Sequence, residues 1–166
     1  MKNTGIIATG IIIVSVSTIV LLTRGRKSVI IRSPGDGNCL FSSIAVFVDR
    51  PSNTVRRDIV KELHFNRNVY LPFFTPKQLV RGRGQPGIDQ LDTRHVSYDK
   101  YITSMMDNGA WGGEMELSAA ANVYKRPVIV RQRGGISYVY GGGDKDTTPI
   151  ELLYNGSSHY DAIKRE

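Results

Sequence analysis

The sequence predicts an α+β domain, with a central, mostly antiparallel sheet and helices packed around it, preceded by a single N-terminal transmembrane helix. Three observations carry that prediction. Helical patterns occupy the first part of the domain and short strands the last, an order that suits segregated elements rather than alternating βαβ units. The chain has 166 residues, 40% of them apolar, enough for one core of ordinary domain size. The third observation is a break in composition near the start, where Ile6–Leu22 contains no charged residue and is mostly Ile, Val, Ala, Gly, Ser and Thr.

The elements follow in order. At about 1.5 Å per residue a helix over 6–22 spans roughly 25 Å, the short end of what a bilayer needs, and Thr4, Gly5 and Thr23 can extend it. A cleaved signal peptide fits less well. The flank Thr23-Arg24-Gly25-Arg26-Lys27 has no small-x-small cleavage pattern and carries three cations. Arg24, Arg26, Lys27 and Arg32 follow the segment and only Lys2 precedes it, so the positive-inside bias turns the rest of the chain toward the cytosol. Residues 1–27 are thus read as anchor and basic flank, and 28–166 as the working domain. Within it, Ser28–Arg32 is a short strand closed by the turn Ser33-Pro34-Gly35-Asp36-Gly37. Cys39–Val48 is a buried helix. Thr54–Phe65 is an amphipathic one, with Val55, Ile59 and Leu63 on its stripe and Ser52 or Asn53 as cap. Periodicity is lost from Asn66 to about His95. Helices return at Ser97–Asp107 and Glu114–Tyr124, and strands follow at Pro127–Gln132, Ile136–Tyr140, Ile150–Tyr154 and His159–Ile163.

Composition excludes several classes. The single Cys rules out an internal disulfide and a Cys-pair metal site. No His or Cys pair has ligand spacing, so neither metal nor cofactor is expected. A net charge of +7 favours acidic surroundings without naming a chemistry. Gly82-Arg83-Gly84-Gln85-Pro86-Gly87 spells a dinucleotide fingerprint. It lacks the strand before and the helix through it that the fingerprint requires, and Pro86 argues for a loop. Arg81 and Arg83 read as solvated charges, and nucleic-acid binding is not favoured.

Cys39 follows a glycine-rich turn at the first turn of its helix. Unpaired N–H groups there favour a thiolate and can hold a developing oxyanion; equally, a Cys at that place simply starts a buried helix. A nucleophile also needs a base. His64 lies beside an apolar stripe and reads as a half-buried structural residue, and His95 has no ordered context. His159 opens the last strand and, at i and i+2, shares a face with Asp161, a carboxylate able to fix the imidazole's tautomer. The alternative is an edge-strand His near a solvated Asp.

Asp36-Gly37-Asn38-Cys39-Leu40-Phe41, then Trp111-Gly112-Gly113-Glu114-Met115-Glu116-Leu117, then His159-Tyr160-Asp161 resemble, in order and spacing, the signature blocks of the ovarian-tumour (OTU) family of cysteine proteases, most of which remove ubiquitin. The resemblance runs from about Ile30 to Ile163 and implies a papain-like OTU fold. It implies Cys39 as nucleophile, His159 as general base, Asp161 as orienting acid and Asp36 as a further acidic active-site position, with ubiquitin or ubiquitinated proteins as partners. Backbone N–H groups at Cys39 and its neighbours, Gly37 and Asn38, would form the oxyanion hole. Gly35, Gly37, Gly112 and Gly113 would leave a narrow channel for a Gly-Gly tail, and Trp111 would pack beside the site. The stretch Asn66–Asp92 corresponds to the family's variable region. The expected activity is thiol-dependent cleavage after the C-terminal glycine of ubiquitin or a ubiquitin-like modifier. The alternatives are a protease of the same fold acting on a polyprotein, or a module that binds ubiquitin or nucleic acid without cleaving. Sequence leaves linkage preference and oligomeric state open.

Overall fold

The computed structural model describes residues 27–75, 97–132, 134–142 and 147–165. The apolar segment 6–22, His95 and the stretch 82–87 lie outside the described residues. Among the described residues no helix is long and apolar enough to cross a membrane.

Among the described residues five strands form one sheet in the order β1-β5-β4-β2-β3: β1 Ser28–Ile31, β2 Val128–Gln132, β3 Ser137–Tyr140, β4 Ile150–Tyr154 and β5 Tyr160–Arg165. Three pairings are antiparallel. The central β2–β4 pair is parallel, with Val128 opposite Ile150 and Val130 opposite Leu152. A parallel pair needs a long connection, and β3 lies within the stretch of chain that joins the two strands.

The helices stack on this sheet in two tiers. Helix α1 (Cys39–Val48) packs on β5 and β4, and α5 (Glu114–Tyr124) on β2 and β3, while α2 (Ser52–Phe65) lies over both helices and against α4 (Tyr98–Met105). Each helix has the face that this requires. Phe41 and Ile44 of α1, Val55, Ile59 and Leu63 of α2, Ala119 and Ala120 of α5, and Val128, Ile150 and Leu152 of the sheet are all fully buried, and each large aliphatic or aromatic side chain among them contributes about 1.5–3 kcal/mol.

Several sequence expectations shift at element ends. Helix α2 begins at Ser52 behind Pro51, whose carbonyl accepts the N–H groups of Thr54 and Val55, so neither Ser52 nor Asn53 caps it. Ser97 does cap α4, its hydroxyl accepting from the Lys100 N–H. The irregular stretch opens with a helical turn, α3 (Arg67–Tyr70), and a 3-10 turn at Leu71–Phe73. His64, expected half-buried, is exposed at the end of α2 with its ring edge-on to Phe65.

Candidate active site

The loop Ser33–Asn38 delivers Cys39 to the start of α1. Asp36 Oδ1 accepts from the Asn38 N–H at 2.9 Å and tightens the turn. Gly37 sits at φ 84°, and an added Cβ there would overlap the Gly109 carbonyl, so this glycine is required by conformation and by close approach. At Gly112 an added Cβ would instead crowd the Leu40 and Phe41 side chains. Gly37 therefore brings two backbones together and Gly112 makes room for core side chains, rather than each opening a channel. Gly112 and Gly113 do line a cleft, but Gly35 and Gly37 do not.

That cleft, about 370 Å³, is bordered by Cys39, Trp111, Gly112, Gly113, Tyr138, Tyr140, Tyr154, Ser158 and Tyr160 among others. Cys39 is buried, and its Sγ lies 3.9 Å from the Ser158 carbonyl. The thiol does not have the low pKa that a helix N-terminus alone suggests. Burial pushes it up and the Asp36 charge adds to this, outweighing the backbone N–H groups of Tyr160, Leu40 and Cys39 itself. Burial thus favours the thiol over the thiolate, and a nucleophile in that setting needs a base.

His159 stands immediately before β5, at the end of a tight hairpin. Asn155 organises that hairpin: its Oδ1 accepts the N–H groups of Ser157, Ser158 and His159 at 2.9–3.0 Å, while its own N–H donates to the His159 carbonyl. The His159 ring Nε2 is 3.1 Å from Asp161 Oδ1, which leaves Nδ1 as the second ring nitrogen. Asp161 is buried and also accepts from the Ser33 N–H at 3.0 Å and from Arg32 Nη1 at 2.7 Å. Burial alone would raise its pKa; the Ser33 N–H, His159 and Arg32 reverse that and hold the carboxyl below the usual range. Two hydroxyls set the spacing between the halves of the site: Ser43 on α1 lies 2.7 Å from Ser33 Oγ and 3.1 Å from the Tyr160 carbonyl, to which it donates. In this way the structure brings the Cys39 and His159 segments, 120 residues apart in sequence, to one cleft.

Asp36 stays at the surface, held below the ordinary carboxylate range because the Asn38 N–H and the Arg56 charge outweigh its partial burial. Asn38 is nine-tenths buried. Its N–H is committed to Asp36, and its Oδ1 accepts from Arg56 Nη2 at 2.7 Å and from the Gly109 N–H at 3.0 Å. Arg56 itself is buried. It donates to the carbonyls of Met105 (3.0 Å) and Ala110 (2.9 Å) and lies 3.8 Å over the Phe41 ring; burial lowers its pKa to about 10. Glu116 is fully buried too, capping α5 through the Gly113 N–H at 2.7 Å and accepting from Tyr101 at 2.5 Å. Sequence reasoning passed over Arg56 and Asn155. A cation among Val55, Ile59 and Val60 on a helical stripe, and an Asn-Gly pair between two strands, were the available signals.

A thiol at a helix start, sharing a cleft with the hairpin residues that flank a carboxylate-held imidazole, is an arrangement suited to a cysteine-type hydrolase. Comparison with known proteins narrows the class: residues 34–161 match the family model described as OTU-like cysteine protease, and the chain belongs to that family. It is 32% identical over 150 residues to "OVARIAN TUMOR DOMAIN-containing deubiquitinating enzyme 4" of Arabidopsis thaliana, covering 81% of this chain and 42% of that protein. It is 26% identical to "Deubiquitinase OTUD6B" of Gallus gallus, covering 79% and 43%. The chain thus spans less than half the length of these curated relatives. The fold agrees with solved OTU domains: that of OTUD1 (TM-score 0.64, 18% identity, 82% of this chain and 85% of that one) and the Hazara virus OTU bound to ubiquitin (TM-score 0.57, 19% identity, 84% and 82%).

Proposed function

We propose that the chain is a thiol-dependent deubiquitinase that cleaves the isopeptide bond after the C-terminal glycine of ubiquitin. The observation that carries this reading is the meeting, in one cleft, of a buried Cys39 with the hairpin that holds His159 against Asp161. In this mechanism His159 takes the Cys39 proton and the thiolate attacks the glycine carbonyl carbon. Backbone N–H groups at the start of α1 stabilise the oxyanion, and His159 passes its proton to the departing lysine amine as the C–N bond breaks. Water then attacks the thioester, with His159 as base, and the thiol is regenerated. Asp161 fixes the imidazole by accepting at Nε2, and Asp36 shapes the loop that presents Cys39. Gly112 and Gly113 leave room in the cleft for a narrow substrate tail.

Hydrolysis of a ubiquitin–fluorophore conjugate tests the assignment. Cys39→Ala should abolish turnover, and Asp161→Ala should lower kcat by roughly 10²–10⁴-fold, the range for loss of acid–base function. Turnover retained by Cys39→Ala removes the thiol from the mechanism.

The same reading extends to location. Residues 6–22 are proposed as a single membrane span with the catalytic domain on the cytosolic side, supported by the uncharged stretch and the cations that follow it. The full chain should stay with membranes through alkaline carbonate extraction, and its release into the supernatant would overturn the anchor.

A further inference from the structure

We propose that Asn38 and Arg56 are positioning residues for the oxyanion hole: the Arg56 guanidinium draws the Asn38 side chain away from α1, leaving that helix's first N–H groups open and fixing the peptide plane that aims the Cys39 N–H. The inference rests on the deubiquitinase reading and goes beyond it by naming what builds the hole.

The position of Asn38 makes its conduct unusual. It is the residue preceding α1, where Asn, Asp and Ser ordinarily accept a hydrogen bond from the second or third N–H of the helix. Here the side chain makes no such bond. It points the other way, taking Arg56 Nη2 at 2.7 Å and the Gly109 N–H at 3.0 Å. Among the described residues no side-chain or carbonyl oxygen takes the N–H groups of Cys39, Leu40 or Phe41; the first bond of the helix is Ser42 N–H to the Asn38 carbonyl at 2.9 Å. Open donors at a helix start are what a developing oxyanion needs, and a conventional cap would occupy one of them.

Asn38 also sits at φ −99°, ψ 4°, and its surroundings fix it there. Three bonds do so: the Asn38 N–H to Asp36, and the two that its Oδ1 receives. The ψ of Asn38 sets the direction of the Cys39 N–H. Arg56 is the fixed end of the clamp, since its guanidinium is held by the Met105 and Ala110 carbonyls and by the Phe41 face. It acts through Asn38 and does not border the cleft.

Asn38→Ser tests this on the full chain. Serine is too short to reach Arg56 and restores an ordinary cap, so ubiquitin–fluorophore hydrolysis should fall by about 10²-fold in kcat, the scale of losing one oxyanion donor, with KM within twofold. Alkylation of Cys39 by iodoacetamide, a displacement that forms no oxyanion, should keep its wild-type rate. Unchanged kcat in the folded variant, or alkylation falling in step with kcat, overturns the proposal. Asn38→Asp keeps acceptors for both Arg56 and Gly109 and guards against a serine variant that does not fold. Its kcat, corrected for its alkylation rate, should lie within tenfold of wild type; a hundredfold loss overturns the proposal. If the wild-type chain turns over no ubiquitin substrate, the deubiquitinase reading fails separately. Amide hydrogen exchange then decides the clamp: exchange at Leu40 and Phe41 at least tenfold slower in Asn38→Ser supports it, and equal exchange overturns it.

Discussion

Two arginines flank the site and are used in opposite ways. On the nucleophile side Arg56 is 4% exposed and meets three oxygen acceptors and an aromatic face. On the base side the Arg32 side chain is 73% exposed and meets a single carboxylate, Asp161. The difference lies in what each must hold. The nucleophile side is made of loop backbone, Asp36–Asn38 and Asp107–Ala110, which has no sheet ladder of its own and needs an internal post. The base side is already held by the β4–β5 ladder, which pairs Leu153 with Asp161 and Tyr154 with Tyr160, and by the Asn155 hairpin, so its arginine only trims the charge.

The largest effect should come from breaking the buried side. Arg56→Met keeps the length and apolar body of the side chain but leaves the Met105 and Ala110 carbonyls without their donor. It also removes a cation whose field acts on the buried Glu116 carboxyl. Leaving buried acceptors without their donor costs about 1–3 kcal/mol each. Urea unfolding followed by circular dichroism measures this, and a loss under about 1 kcal/mol would mean that the loops stand without their post.

That contrast also explains what could be read in advance. Helix α5 is found at Glu114–Tyr124 and α1 at Cys39–Val48, the bounds their sequences suggest. In both, a glycine-bearing turn meets a run of apolar residues, and local chemistry decides the start. The pairing of Asp161 with His159 was legible because strand geometry puts i and i+2 on one face, even though His159 lies one residue before β5. The parallel β2–β4 pair was not legible, since register between strands some 20 residues apart is set by the core and not by either segment. Arg56 was missed for a similar reason. Its partners come from positions 38, 105 and 110, and only the packed structure shows that a cation on an apolar stripe has acceptors to satisfy it. The thiol's pKa went the other way from the local expectation because burial, a property of the whole fold, outweighs the helix start beside it.

The exposed side should yield the smallest effect, and one that salt can erase. Asp161 is held below its ordinary pKa, so it stabilises the fold above its unfolded value near 3.9 and loses that contribution as pH falls through the lower folded value. Arg32→Ala removes one of the three groups that depress it. The acid-unfolding midpoint should therefore move up, while stability at pH 7 drops by no more than about 0.2–1 kcal/mol, the usual range for a pair with one solvent-exposed partner. Because Arg32 faces water, raising the salt to about 1 M, where the screening length is roughly 3 Å, should bring the wild-type midpoint close to that of the variant. The Ser33 N–H, a backbone donor to the same carboxylate at 3.0 Å, carries no net charge and is not screened in this way. A midpoint gap between wild type and Arg32→Ala that persists at high salt would show that Arg32 works through packed geometry, as Arg56 does, and the two sides of the site would then be built alike.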